Sequence, residues 1–290
     1  MWRHLTPILI AVLLIVACST ERKTLPTEGN AVYYWRTDFR LDSTEQAFLD
    51  TFHIQRIYCR YFDVVGNRPE GPMPNATITF SSQVPDGIEI VPTVFITEDC
   101  MHQPADSLAH LIVQRIVQMN ETNDIAGVRE IQIDCDFTMR SRNIYYSFLQ
   151  QVRKEAVKHS LTLSTTIRLH QLSMPEPPVD YGVLMLYNTG DPQKFEERNP
   201  ILDIRDVKPY VHYLHDYQLP MAAAYPVFLW QRSIYGIHIE HEADMKDIMA
   251  VKQAVESERA DLRQLILTYH LSNGNIHRYT HNDYEKIYRH

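Results

Sequence analysis

Glu130-Ile-Gln-Ile-Asp-Cys-Asp-Phe137 alternates polar and apolar side chains along its whole length. In an extended strand successive side chains point to opposite faces. Ile131, Ile133, Cys135 and Phe137 therefore share one face, and Gln132, Asp134 and Asp136 share the other. The apolar row suits packing under helices. The polar row suits the interior of a closed parallel sheet, rising to its open end. The next strand, Leu161-Thr-Leu-Ser-Thr-Thr-Ile-Arg-Leu-His170, repeats the design, with Thr162, Ser164, Thr166, Arg168 and His170 on one face.

Outward from these two strands, short β-rich runs alternate with helical patterns. Strands are predicted over 31–36, 54–62, 88–97, 129–137, 161–169, 181–188, 220–230 and 264–270. Helices are predicted over 43–52, 107–119, 141–158, 204–217 and 243–260, with a terminal helical turn over 282–288. The first helix carries a capping signal, Ser43 with Gln46 three positions on. Residues 171–180 hold Pro175, Pro177 and Pro178, which leaves no room for a full helix and makes the fifth crossover irregular. Alternating strands and helices point to βαβ units and a parallel sheet. Eight such strands in one domain favour closure into a (β/α)8 barrel. The alternative, a doubly wound open sheet, usually carries a glycine-rich phosphate turn after a strand, and none is present.

Before this domain lies a different kind of segment. Arg3 precedes the ten-residue apolar run Ile8–Ala17, which ends at Cys18. A bilayer-spanning helix needs about 20 apolar residues, so the run fits the core of a cleaved signal peptide. Ile15-Val-Ala-Cys18 resembles the lipobox of bacterial lipoproteins, in which the signal is cut before a lipidated Cys. The expected organisation is a signal at 1–17, a polar tether at 18–30 with Cys18 lipidated, and one barrel domain at 31–290. The expected location is a bacterial cell envelope, lipid-anchored at the outer membrane or cell surface, since paired acyl chains hold a protein where one is marginal. A net charge of −8 argues against nucleic acid. Cys59, Cys100 and Cys135 show no disulfide framework and no zinc spacing. Cys59 and Cys135 read as small buried residues, while a disulfide at Cys100 stays open.

In barrels of this kind the active site lies at the C-terminal ends of the strands. Asp134 and Asp136 rise toward that end together, and two neighbouring carboxylates in a partly dry mouth do not both ionise cheaply. A carboxyl held protonated is what a glycosidic leaving group requires. Against this stands the plainer reading, that both acids are solvated or satisfied by barrel donors. Arg168 is placed either to pair with Asp134 or to bind a substrate oxygen. His170 follows the strand directly. Trp35, Tyr61, Trp230 and Tyr269 end other strands, where flat rings suit sugar C–H faces or simply fill the core. Asp38 and Asp63 follow the first two strands. His238-Ile-Glu-His241 lacks the i,i+4 spacing of a helical zinc pair, and no GxSxG elbow or P-loop occurs. No metal and no cofactor are expected.

The same residues carry a family resemblance. Ile131-Gln-Ile-Asp-Cys-Asp-Phe137 resembles the fourth-strand signature of the family 18 glycoside hydrolases, the chitinase-like enzymes. That signature has acids at alternating positions, the last a catalytic Glu. Met185-Leu-Tyr-Asn188 is similar to the family's sixth-strand Met-x-Tyr-Asp. The chain as a whole also resembles lipoproteins of glycan-foraging bacteria that share this barrel layout. The resemblance implies Asp136 as proton donor, Asp134 as orienter of a substrate 2-acetamido group, and Tyr187 as a supporting hydrogen-bond donor. Gln132 and Asn188 stand where the family has Asp, and Asp136 is one methylene shorter than Glu. Arg168, Gln132, Asn188, Trp230, Trp35, His170 and Tyr269 complete the candidate substrate-binding set. Two functions follow as expectations: a glycoside hydrolase using carboxylate general acid catalysis, or a non-catalytic barrel binding a glycan or partner at the envelope.

Overall fold

The computed structural model describes residues 25–66, 71–102, 107–191, 198–234 and 237–290. Eight parallel strands close on themselves: β1 (Gly29–Tyr34), β2 (Ile54–Val65), β3 (Glu89–Ile96), β4 (Glu130–Asp134), β5 (Thr162–Ile167), β6 (Tyr181–Met185), β7 (Met221–Pro226) and β8 (Leu265–Tyr269). Each pairs with its sequence neighbours, and β8 pairs with β1 to complete the ring. Helices α1 (Ser43–Thr51), α2 (Leu108–Thr122), α3 (Arg142–Val157), α4 (Ile204–Val211), α5 (Met245–Glu258) and α6 (His281–Ile287) cover the outside. The predicted (β/α)8 barrel is thus the observed fold. The fifth crossover is the irregular one expected, a single 3₁₀ stretch at Leu169–Ser173. Among the described residues no helix is long and apolar enough to cross a membrane.

The β4 alternation sorts as anticipated. Ile131, Ile133, Cys135 and Phe137 are fully buried, and Phe137 stacks on Tyr145 of α3 at 4.8 Å between ring centroids. The inward row makes the barrel interior polar. At the lower end Arg56 donates to Glu130 at 2.8 Å and to Glu89 at 2.9 Å, while Ser164 and Tyr181 donate to Glu130. Buried charges persist only when paired and hydrogen-bonded, and this layer meets that condition. One layer up, Tyr33 donates to Gln132 Oε1 at 2.9 Å, and Gln132 Nε2 donates to Ser164 at 3.3 Å.

Several boundaries move, each for a local reason. β4 ends at Asp134 rather than Phe137, so Asp136 sits on the loop above the barrel instead of in the strand. The predicted 220–230 strand stops at Pro226, and Leu229–Ile234 begins a separate antiparallel hairpin with Ile237–Glu242. Trp230 and the His238–His241 run belong to that hairpin and not to the barrel. The 204–217 helix is split at His212: Ile204–Val211 carries Pro209 within it, and a short second turn follows at Tyr213–Asp216. The cap of α1 is Asp42, not Ser43: Asp42 accepts from the Glu45 backbone, and the Glu45 side chain returns to the Asp42 backbone. β1 starts at Gly29 and Leu25 is buried in the core, so the barrel begins before residue 31 and takes in the end of the predicted tether. The signal segment and Cys18 lie outside the described residues. Among the described residues Cys59, Cys100 and Cys135 are buried and free, with no disulfide between them.

Candidate functional site

At the C-terminal end of the barrel the top of the polar row meets the end of β5. Asp134 is the last residue of β4, and its side chain is 4% exposed. Thr166 donates to Asp134 Oδ1 at 2.6 Å, and Arg168 Nη2 approaches the same oxygen at 3.4 Å. Arg168 also donates from Nε to Asp136 Oδ1. One guanidinium therefore bridges the two acids that the sequence singles out. Burial pushes the Asp134 carboxyl above its ordinary value; Arg168 pulls it back, and the Asp136 charge adds to the rise. Burial opposes the Arg168 charge as well, but Asp134 and Asp136 together more than offset this and hold it protonated.

The two acids are not equivalent. Asp134 is enclosed, whereas the Asp136 side chain is 55% exposed. Asp136 opens onto a cleft of about 280 Å³ lined by Arg168, His170, Met185, Tyr187, Asn188 and Tyr210, among others. Arg168, His170, Tyr187 and Asn188 from the predicted set thus gather around Asp136, with Asp134 immediately behind. Tyr187 forms the floor. It stacks on Tyr269 at 4.6 Å and 28°, meets Phe228 edge-on at 5.9 Å, and lies under the Arg168 guanidinium at 5.8 Å. Burial raises the Tyr187 phenol well above its ordinary value, so it is a hydroxyl donor across the neutral range. Asn188 takes a left-handed backbone conformation, φ 52°, which Asn tolerates better than most residues, and its side chain is exposed at the rim.

Other candidates fall elsewhere. Gln132 is fully buried with both ends of its amide bonded inside the barrel. The structure corrects its placement as a substrate-binding residue, because a ligand at the mouth is separated from it by the Asp134 layer. Tyr269 is a supporting ring beneath Tyr187. Trp35 packs against Tyr33 at 6.0 Å and Tyr269 at 5.6 Å, with the Arg60 guanidinium 5.5 Å from its ring. Asp63 lies inside β2 and pairs with Arg60 at 2.7 Å. Trp230 faces His241 across the hairpin at 5.7 Å. Trp35 and Trp230 do not line the cleft around Asp136. Thr189 and Tyr210 do, and the sequence reading does not reach them. Tyr210 arrives from α4, across a loop whose course no local pattern encodes. Among the described residues no group of three or more His, Cys, Asp or Glu is placed to hold a metal ion.

No family model and no curated protein sequence matches the chain. Solved structures do resemble it. A chitinase from Bacteroides thetaiotaomicron superposes with a TM-score of 0.58 at 10% identity, covering 90% of this chain and 96% of that one. A chitinase from Chromobacterium violaceum ATCC 12472 gives 0.56 at 12% identity, covering 90% and 98%. The Bacillus cereus spore cortex-lytic enzyme SleL gives 0.53 at 14% identity, covering 85% and 71%. At such identities the likeness is one of fold. The chain has a chitinase-like (β/α)8 barrel.

Proposed function

We propose that this chain is a glycoside hydrolase-like lipoprotein whose barrel takes a glycan into the cleft above Tyr187, and that it binds that glycan rather than cleaving it. The observation that carries the second half is the Arg168 bridge. General acid catalysis asks Asp136 to deliver a proton to a leaving oxygen. Asp136 is instead half open to solvent and already engaged in an ion pair with a guanidinium. Asp134, the acid that burial does push toward protonation, lies behind Arg168 and off the cleft surface. Burial thus favours a proton on a carboxyl that does not face the cleft.

Hydrolysis with Asp136 as general acid is the second reading. It is favoured by the exposure of Asp136 on the same cleft as Tyr187 and Asn188, and it requires the Arg168 contact to open when substrate enters. A panel of N-acetylated and plain oligosaccharides, assayed for both binding and turnover, separates the two. Binding without product supports the module. Product that disappears in Asp136→Asn supports the hydrolase. A panel in which nothing binds overturns both.

The envelope location is likewise proposed, from Cys18 and the apolar run before it. Cys18→Ala is expected to move the protein from the membrane fraction to the soluble one. Unchanged membrane association after carbonate washing sinks the anchor.

A further inference from the structure

Two polar atoms on the cleft wall are left without partners. Arg168 commits Nε to Asp136 and Nη2 to Asp134, while its Nη1 is buried and bonded to nothing among the described residues. Asp136 gives Oδ1 to Arg168, and its Oδ2 makes no hydrogen bond among the described residues. The first atom is a donor and the second an acceptor. Both belong to one ion pair, so they share one wall of the cleft. A buried donor without a partner is costly, more so when it is charged, and a ligand oxygen that reaches Nη1 removes that cost. Nη1 is covered as the side chains stand. The Nη2 contact with Asp134, at 3.4 Å, is close to the limit of a hydrogen bond, and it is the contact that yields as the guanidinium tilts to meet a ligand.

The charge on this wall is already balanced. Among the described lining residues the Asp136 carboxylate and the Arg168 guanidinium cancel, and Asp134 lies behind without lining the cleft. A ligand carboxylate at this point brings acceptors only and sets a second negative charge beside Asp136. An ammonium brings donors only and sets a second positive charge beside Arg168. A secondary amide holds one donor and one acceptor, but its C=O and N–H point to opposite sides of a planar trans unit, so it does not serve two atoms of one wall. Two hydroxyls on adjacent carbons do serve them. Each both donates and accepts, and a gauche pair turns both oxygens to the same side. Asp136 is 55% exposed whereas Nη1 is enclosed, so two oxygens at different depths suit the wall better than one.

Resting on the glycan-binding reading above, we infer that the cleft selects a neutral hexose with free hydroxyls at C2 and C3, one accepting from Arg168 Nη1 and the other donating to Asp136 Oδ2. Calorimetric titration of the whole folded domain tests this with β-1,4-linked trisaccharides that differ at C2. Glucose and mannose keep the hydroxyl pair; 2-deoxyglucose, glucosamine and N-acetylglucosamine lack it. At least one of the plain trisaccharides is expected to bind about tenfold or more tightly than all three modified ones, the increment of one hydrogen bond to a charged group. Arg168→Lys keeps a cation for Asp134 and lacks Nη1, and Asp136→Ala removes Oδ2 on an exposed loop. Each is expected to bring the plain trisaccharide down to the level of the 2-deoxy one. Should Arg168→Lys fail to fold, Asp136→Ala decides alone. A 2-deoxy, amino or N-acetylated trisaccharide that binds as tightly as the plain ones overturns the inference and leaves the glycan-binding reading standing. A margin that survives in the folded variants also overturns it. If none of the five binds, both fail together.

Discussion

Arg168 approaches Asp134 Oδ1 with Nη2 at 3.4 Å while its Nε is committed to Asp136, so the residue that directly follows β5 ties the top of β4 to the loop above it. Asp134 is enclosed, and taking away its cation leaves a buried carboxylate without an ionic partner. Breaking such a pair from one side costs about 3 kcal/mol or more. Arg168→Met keeps most of the packing volume and removes the charge. It is expected to lower the unfolding free energy by about that amount, measured by urea denaturation at pH 7, with an unchanged m-value. A change under about 1 kcal/mol would mean that Thr166 alone satisfies Asp134 and that the bridge is not structural.

Asp134 also gives stability a pH signature of known sign. Its folded-state value is raised above the ordinary 3.8. The folded state therefore holds the proton more tightly than the unfolded chain. The resulting contribution is fully present below about 3.8 and is lost as pH rises through the raised folded value. Asp134→Asn removes this titration. Whatever its effect at one pH, the variant's stability relative to the parent is expected to improve as pH rises from about 3.8 through the raised folded value and to level off above it. A difference flat with pH, or one moving the other way, would show that Arg168 and Thr166 outweigh burial at this carboxyl.

Much of this architecture is legible in the sequence because barrel strands write their geometry in period two. The row Ile131, Ile133, Cys135 and Phe137 predicts its own burial, and the rows of β4 and β5 predict that Asp134 and Arg168 lie near one another. The end of a strand is less legible. Asp136 continues the alternation perfectly, yet hydrogen bonding stops at Asp134, and the two acids diverge into an enclosed one and an exposed one. Trp230 is missed for a related reason: nothing in Pro226-Val-Phe-Leu-Trp230 marks where the barrel strand yields to a hairpin. Gln132 is the opposite case. Its position in the inward row is read correctly, but depth along the barrel axis is a tertiary quantity, and the partners that close it off, Tyr33 and Ser164, come from strands far apart in the chain.

The hairpin position makes a prediction about ligand contacts. Trp230 pairs with His241 and does not line the cleft, whereas His170 does. Titration with the tightest-binding disaccharide is expected to show Trp230→Ala within about twofold of the parent. His170→Ala is expected to weaken binding several-fold, in keeping with about 0.5–1.5 kcal/mol for one polar contact. The reverse ranking would place the glycan on the hairpin and leave the cleft around Asp136 empty of function.

A last prediction concerns the scaffold that holds the mouth in place. Gly66 follows directly after β2, and a Cβ there would stand 2.8 Å from the Cys100 backbone nitrogen and 3.0 Å from its Cα. Backbone atoms cannot swing aside as a side-chain tip can, so either Gly66 or the 3₁₀ stretch Glu98–Met101 must shift. Overpacking of this kind costs about 1–3 kcal/mol. Gly274 offers the contrast, with nothing within 4 Å of its Cβ position and no left-handed backbone. There an alanine narrows the unfolded ensemble and is neutral to stabilising by up to about 1 kcal/mol. Thermal melts followed by circular dichroism are therefore expected to fall for Gly66→Ala and to hold or rise for Gly274→Ala. Equal melting temperatures would mean that the β2–β3 corner relaxes freely. Glu98, which accepts from the Thr138 hydroxyl at 3.0 Å across to the loop carrying Asp136, would then lose its place as a fixed strut beside the site.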